Sequence, residues 1–83
     1  MEISQTHSYS MEIFEDEIVK DIIKDVYQAL EERGYNPINQ IVGYIMSGDP
    51  GYISSHKEAR TKITKVERNK ILEVLLREYI KRI

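Results

Sequence analysis

The stretch EDEIVKDIIKDVYQALEERGYNPINQIVGYIMS, Glu15–Ser47, decides the fold. Val19, Ile22, Ile23, Val26 and Leu30, joined by Ile18 and Ala29, recur at three- and four-residue spacing, which places one apolar stripe along a helix. Glu15, Asp16 and Glu17 are then expected in its first turn, where carboxylates complement the helix dipole, and Gly34 is placed to end it in a left-handed conformation. In the segment after Gly34, Asn36 can accept free backbone N–H groups and Pro37 suits a first helical position, where no donor is needed. A short second helix is predicted from Pro37 to Ser47, with Ile38, Ile41, Val42 and Ile45 as its buried side. Gly43 within it is a costly helix residue that points to close approach of another backbone.

Downstream, the turn formers Ser47-Gly48-Asp49-Pro50-Gly51 stop the second helix. Ser55-His56-Lys57-Glu58 has the form in which a serine hydroxyl and a glutamate carboxylate reciprocally satisfy backbone donors, so a third helix is predicted to start at His56. Thr64-Lys65-Val66-Glu67 repeats that form and marks a break or kink, after which Ile71, Leu72, Leu75, Leu76, Tyr79 and Ile80 carry a fourth helix to the end. One bent helix is the alternative. Upstream, residues 1–14 (MEISQTHSYSMEIF) mix Ser, Thr, His and Tyr with few strongly apolar residues and read as a flexible regulatory tail. The expectation is an all-α protein: a small bundle of about four helices over residues 15–83, after a flexible tail over 1–14.

The chain's 83 residues, 41% of them hydrophobic, suffice for one small domain and exclude a two-domain enzyme. It contains no cysteine, which removes disulfides, thiolate zinc sites, iron–sulfur clusters and a cysteine nucleophile together. The longest nearly unbroken apolar run, Ile41 to Met46, is far too short to span a bilayer, so no membrane insertion and a cytoplasmic location are expected. A core this small supplies only ~3 to 5 kcal/mol. With no disulfide or metal to compensate, association into a homodimer is expected on stability grounds.

Every catalytic template fails on inventory: there is no G-x-S-x-G, no Walker loop, no dinucleotide fingerprint and no paired histidine, His7 and His56 lying far apart. No enzymatic role and no cofactor are expected. The carboxylates Glu15, Asp16, Glu17, Asp21 and Asp25 are read as a solvated acidic face rather than a metal site.

Charge divides the chain. Residues 1–36 hold nine acidic and three basic residues, whereas residues 37–83 hold five acidic and nine basic. Within the second part, His56, Lys57, Arg60, Lys65 and Arg68 form the best candidate partner-binding surface, with Lys57, Arg60, Thr64 and Arg68 near one face if the segment is helical. A helix-turn-helix DNA reader built from the second helix, the Gly-Asp-Pro-Gly turn and the third helix is the alternative use of these cations. Two features count against nucleic acid: the connection from Gly48 to Ser55 is long for that motif, and the chain is acidic overall.

Beyond these readings, the block from Ala29 to Tyr44, followed by Ser47-Gly48-Asp49-Pro50, Tyr52-Ile53, His56, Ala59-Arg60 and Glu67-Arg68, closely resembles the IreB/ReoM family of small regulators from Gram-positive bacteria. The resemblance covers residues 15 to 82 without a gap. It implies a non-enzymatic helical homodimer acted on by a membrane Ser/Thr kinase with PASTA repeats and by a cognate phosphatase. It further implies control of peptidoglycan synthesis and cephalosporin resistance, with Clp-protease degradation of the enolpyruvyl transferase that begins precursor synthesis as the route. With a one-residue deletion between it and the first helix, Gln5-Thr6 looks like the family's phosphoacceptor context, making Thr6 the acceptor, with Ser4, Ser8 and Ser10 as runners-up. Family members commonly carry Pro-Arg-His where this chain has Ser54-Ser55-His56, and arginine where it has Thr64, whereas Arg60 and Arg68 match.

Overall fold

A computed structural model describes the backbone from Glu2 to Ile83 and the side chains from Met11 onward. Four α-helices and two short 3₁₀ turns make up the described residues: α1 Glu2–Glu32, α2 Pro37–Ser47, turns at Pro50–Tyr52 and His56–Glu58, α3 Ala59–Ile63 and α4 Arg68–Ile80. Helices cover most of the chain, as the periodicity predicts.

No start falls at Glu15, because α1 runs unbroken through it. Helical hydrogen bonds are local, so the helix can continue where packing does not. Met11, Ile13 and Phe14 are all exposed, consistent with the weak apolar content of that stretch. Glu15, Asp16 and Glu17 therefore lie inside the helix and do not complement its N-terminal dipole. At the other end Gly34 acts as expected: its φ is +77°, its N–H donates to the Glu31 carbonyl (2.9 Å) and Tyr35 N–H reaches back to Leu30 (3.0 Å). This pair of bonds is the Schellman arrangement that ends a helix at a left-handed glycine.

The start of α2 is likewise legible. The Asn36 carboxamide oxygen accepts the Asn39 N–H at 3.1 Å, and Pro37 takes the first position. Its buried side differs from the expected one: Ile41 and Tyr44 face the core and Ile45 packs against it, whereas Ile38 and Val42 are exposed. Gly43 is approached by the ring of Tyr52 rather than by a backbone.

The core is built on α1, whose Val19, Val26, Ala29 and Leu30 are buried together with Ile53, Ala59, Ile63, Ile71 and Val74. Each such aliphatic side chain contributes roughly 1.5 to 3 kcal/mol when fully buried. In α4 the division is unexpected: only Ile71 and Val74 are buried, while Leu72, Leu75, Leu76, Tyr79 and Ile80 are exposed. Of the two faces of α4, the more apolar one points away from this core.

The expected break between the third and fourth helices falls where Thr64–Glu67 placed it. Its capping box does not form, since Glu67 caps α4 without a side-chain bond and Thr64 Oγ1 donates to the Thr61 carbonyl at 2.9 Å. The box at Ser55–Glu58 is also absent. There Lys57 and Glu58 adopt φ of 49° and 61°, and α3 begins only at Ala59.

Candidate functional site

The break and the left-handed turn decide how the basic side chains are arranged. Lys57, Arg60, Thr64 and Arg68 do not share one helical face, because they fall on a turn, on α3, on its end and on α4 respectively. Four of the five expected surface residues are fastened by their side chains, His56 and Lys57 to the same carboxylate and Arg60 and Arg68 to backbone carbonyls. His56 Nε2 lies 3.0 Å from Glu32 Oε1, and Lys57 Nζ donates to Glu32 Oε2 at 2.8 Å. These two contacts bring a lysine ammonium and an imidazole to the end of α1, whose own last turn contains no basic residue. Hydrogen bonding from Lys57, and after it from His56, holds the Glu32 carboxyl below its ordinary value.

Arg60 and Arg68 use one nitrogen each to hold backbone. Arg60 Nε donates to the Ile53 carbonyl and Arg68 Nη1 to the Ile45 carbonyl, both at 2.8 Å. A guanidinium has five donor hydrogens, so both exposed residues keep further donors for solvent or a partner. Held in this way, the two groups are already oriented. Lys65 is exposed and lines a shallow cleft with Thr64, Glu67, Arg68 and Asn69 at the start of α4. Arg60 and Arg68 thus stand on different elements, and Lys65 lies near Arg68 rather than near His56 and Lys57.

Sequence reasoning missed a second charged cluster. Asp16 pairs with Arg77, and Lys70 Nζ lies 3.3 Å from its other oxygen. Glu73 joins the cluster through Lys70 (3.2 Å) and Arg77 (2.7 Å). Nearby, Lys20 Nζ bridges Glu17 (3.1 Å) and Glu78 (2.9 Å), tying α1 to α4 again. Lys70 is the main cause that lowers the Glu73 pKa, and Glu78 and Glu73 raise those of Lys20 and Lys70 in turn. The i,i+3 and i,i+4 spacing of Lys70, Glu73 and Arg77 was visible, but Asp16, which lies 61 residues before Arg77 and pairs with it and with Lys70, was not.

Thr6, Ser4, Ser8 and Ser10, the phosphoacceptor candidates, lie outside the described side chains. Among the described residues no group of three His, Asp or Glu side chains could hold a metal ion, and no helix is long and apolar enough to cross a membrane. A DNA-reading role is poorly served by α3, which has five residues, little more than one turn to present in a major groove.

The described residues thus form a small helical unit whose surface arginines are held by backbone carbonyls. The model of the family described as IreB regulatory phosphoprotein matches residues 4–81. The chain is 56% identical over 79 residues to a UPF0297 protein of Lachnoclostridium phytofermentans, a match covering 95% of this chain and 90% of that one. The chain belongs to the IreB regulatory phosphoprotein family, as its resemblance implied.

Proposed function

We propose that this chain is a non-enzymatic regulator whose segment 1–14 accepts a phosphate on Thr6 from a PASTA-type Ser/Thr kinase, removed by a cognate phosphatase. The helical body over 15–83 engages the downstream partner. The process so controlled is peptidoglycan synthesis, and with it cephalosporin resistance. The route is Clp-dependent degradation of the enolpyruvyl transferase that begins precursor synthesis. Membership of a family of regulatory phosphoproteins, by a match that includes Thr6, is the observation that carries this reading.

Electrostatics supplies the mechanism. A phosphate adds roughly -1.5 to -2 charge and three strong acceptors. The exposed donors that Arg60 and Arg68 retain, together with Lys65, can receive it and so be withheld from a partner. Alternatively the phosphate repels an acidic partner without docking. Concentrated salt weakens the docked form strongly, which separates the two routes.

Mass spectrometry of the protein recovered from cells with and without the kinase tests the reading. The expected result is one phosphate on the peptide carrying Thr6, present only with the kinase. An unmodified Thr6 peptide in both samples rejects the assignment.

A homodimer fits the same reading. Ile38, Val42 and Met46 of α2 and Leu72, Leu76 and Tyr79 of α4 are exposed in the single chain. Between these helices and α1 runs an apolar groove lined by Ile23, Tyr27 and Leu75. A second copy would remove this surface from water, and a core as small as this one needs that contribution.

A further inference from the structure

The segment Ser54–Ala59 carries a conflict between what its sequence prefers locally and what the fold imposes. Locally, Ser55 and Glu58 have the spacing of a capping box, which would start α3 at His56. In the fold, Lys57 (φ 49°) and Glu58 (φ 61°) are consecutive left-handed residues and neither is glycine. Their Cβ atoms make that conformation costly, and such strain persists only where surrounding contacts over-determine it.

The contacts that impose it are few and identifiable. Glu32 at the end of α1 holds His56 at 3.0 Å and Lys57 at 2.8 Å. The flanks are pinned separately: Ser54 N–H donates to Gln40 Oε1 (3.0 Å), and Arg60 Nε to the Ile53 carbonyl (2.8 Å). Buried Ile53 and Ala59 anchor the two ends in the core. Glu58, by contrast, makes no side-chain cap bond, and Ser55 is exposed. Inside the loop His56 N–H donates to Ser54 Oγ (3.1 Å) and Glu58 N–H to the Ser55 carbonyl (3.0 Å), and among the described residues Glu32 is the side chain from outside the segment that holds its middle.

We propose that Ser54–Ala59 is a two-state element: a clamped turn held by Glu32, and a released state in which the Ser55–Glu58 box closes and α3 begins at His56. Release frees His56 and Lys57 from α1 and re-aims them as part of a longer α3. An anionic partner group that competes with Glu32 for these side chains shifts the element toward release, since a ligand moves such an equilibrium by its differential affinity for the two states. The two-state element does not depend on the regulatory reading above, because its test reads backbone conformation alone.

NMR of the intact protein provides that test. In the native chain, strong intraresidue HN–Hα cross-peaks at Lys57 and Glu58 report positive φ. Glu32→Gln should raise the released-to-clamped ratio about threefold to tenfold, weakening those cross-peaks and moving the Cα shifts of His56–Glu58 toward helical values. Glu58→Gly removes both a left-handed penalty and the box glutamate, and in the Glu32→Gln background should return the ratio toward the clamped turn by about tenfold or more. Unchanged left-handed signatures in Glu32→Gln overturn the proposal. So does a loop that becomes disordered rather than helical, or a double variant that stays released.

Discussion

Arg68 lies against Gly48 so closely that a Cβ at Gly48 would sit 2.9 Å from the guanidinium carbon. The two residues close the end of α2 jointly: Gly48, at φ +77°, returns its N–H to the Tyr44 carbonyl (2.8 Å), and Arg68 covers the Ile45 carbonyl (2.8 Å). Gly48→Ala adds a left-handed penalty of ~1 to 2 kcal/mol and displaces a hydrogen bond worth ~1 kcal/mol. The expected loss is about 2 to 3 kcal/mol, read as a lower midpoint in urea unfolding with little change in slope. Arg68→Ala should lose only about 1 kcal/mol, because the glycine turn survives it. Equal losses in the two variants would contradict this division of roles.

Gly43 and Tyr52 form a second pair of this kind. A Cβ on Gly43 would lie 2.5 Å from the Tyr52 ring, so Gly43→Ala must move that ring. In isolation the substitution favours the helix by ~1 kcal/mol. With Tyr52 in place it should destabilise by about 1 to 2 kcal/mol through overpacking. In a Tyr52→Ala background the same substitution should become stabilising. A double-mutant cycle on thermal or urea unfolding measures the change of sign, and additive effects would show that the ring yields freely.

Local rules carried the fold further than they carried the site. The caps at Asn36 and Gly34 were legible because their chemistry lies within a few residues of the helix end they serve. The start of α3 was not, since the Ser55–Glu58 signal is local and the clamp that overrides it comes from Glu32, twenty-four residues upstream of His56. The apolar periodicity of α4 was visible too, but periodicity does not say which of two apolar faces meets the chain's own core. Ile71 and Val74 do; Leu72 and Leu76 do not. For the site, residue type pointed to Arg60 and Arg68 as surface cations. That each spends a nitrogen on a carbonyl depends on where Ile53 and Ile45 lie in the folded chain.

The exposed ion pairs set the pH dependence of stability. Glu32, Glu73 and Glu78 all titrate below the ordinary glutamate value of 4.5, held down chiefly by Lys57, Lys70 and Lys20 respectively. A depressed carboxyl contributes stability that is present above its unfolded value and is lost as pH falls through the lower folded one. Lys20 and Lys70, raised above 10.5 by Glu78 and Glu73, contribute below that value and lose the contribution as pH rises through their folded ones. Thermal midpoints should therefore be flat between these limits and fall outside both. Glu32→Gln should reduce the acid-side fall only, and added salt should shrink both, since exposed pairs are screened. A profile that fell steadily through neutral pH would assign stability to other groups.

The dimer proposed above makes the sharpest distinction between folding and association. Leu76 is 52% exposed in the single chain, and Met46 is 80% exposed. A charge at either position costs the protomer little, because surface substitutions away from packed features change stability by only about ±0.5 kcal/mol. Within a two-fold interface the same substitution appears twice, each time burying a carboxylate against apolar neighbours, and that is costly for an unpaired charge. Leu76→Glu and Met46→Glu should therefore give monomers in analytical ultracentrifugation, with helical circular dichroism preserved at low temperature. Their thermal midpoints should also lose the dependence on protein concentration expected of the parent dimer. Asp21→Lys, on the exposed side of α1, serves as the control and should leave the mass in solution unchanged. Were both glutamate variants to sediment as dimers, the apolar surface of α2 and α4 would not be where two copies meet.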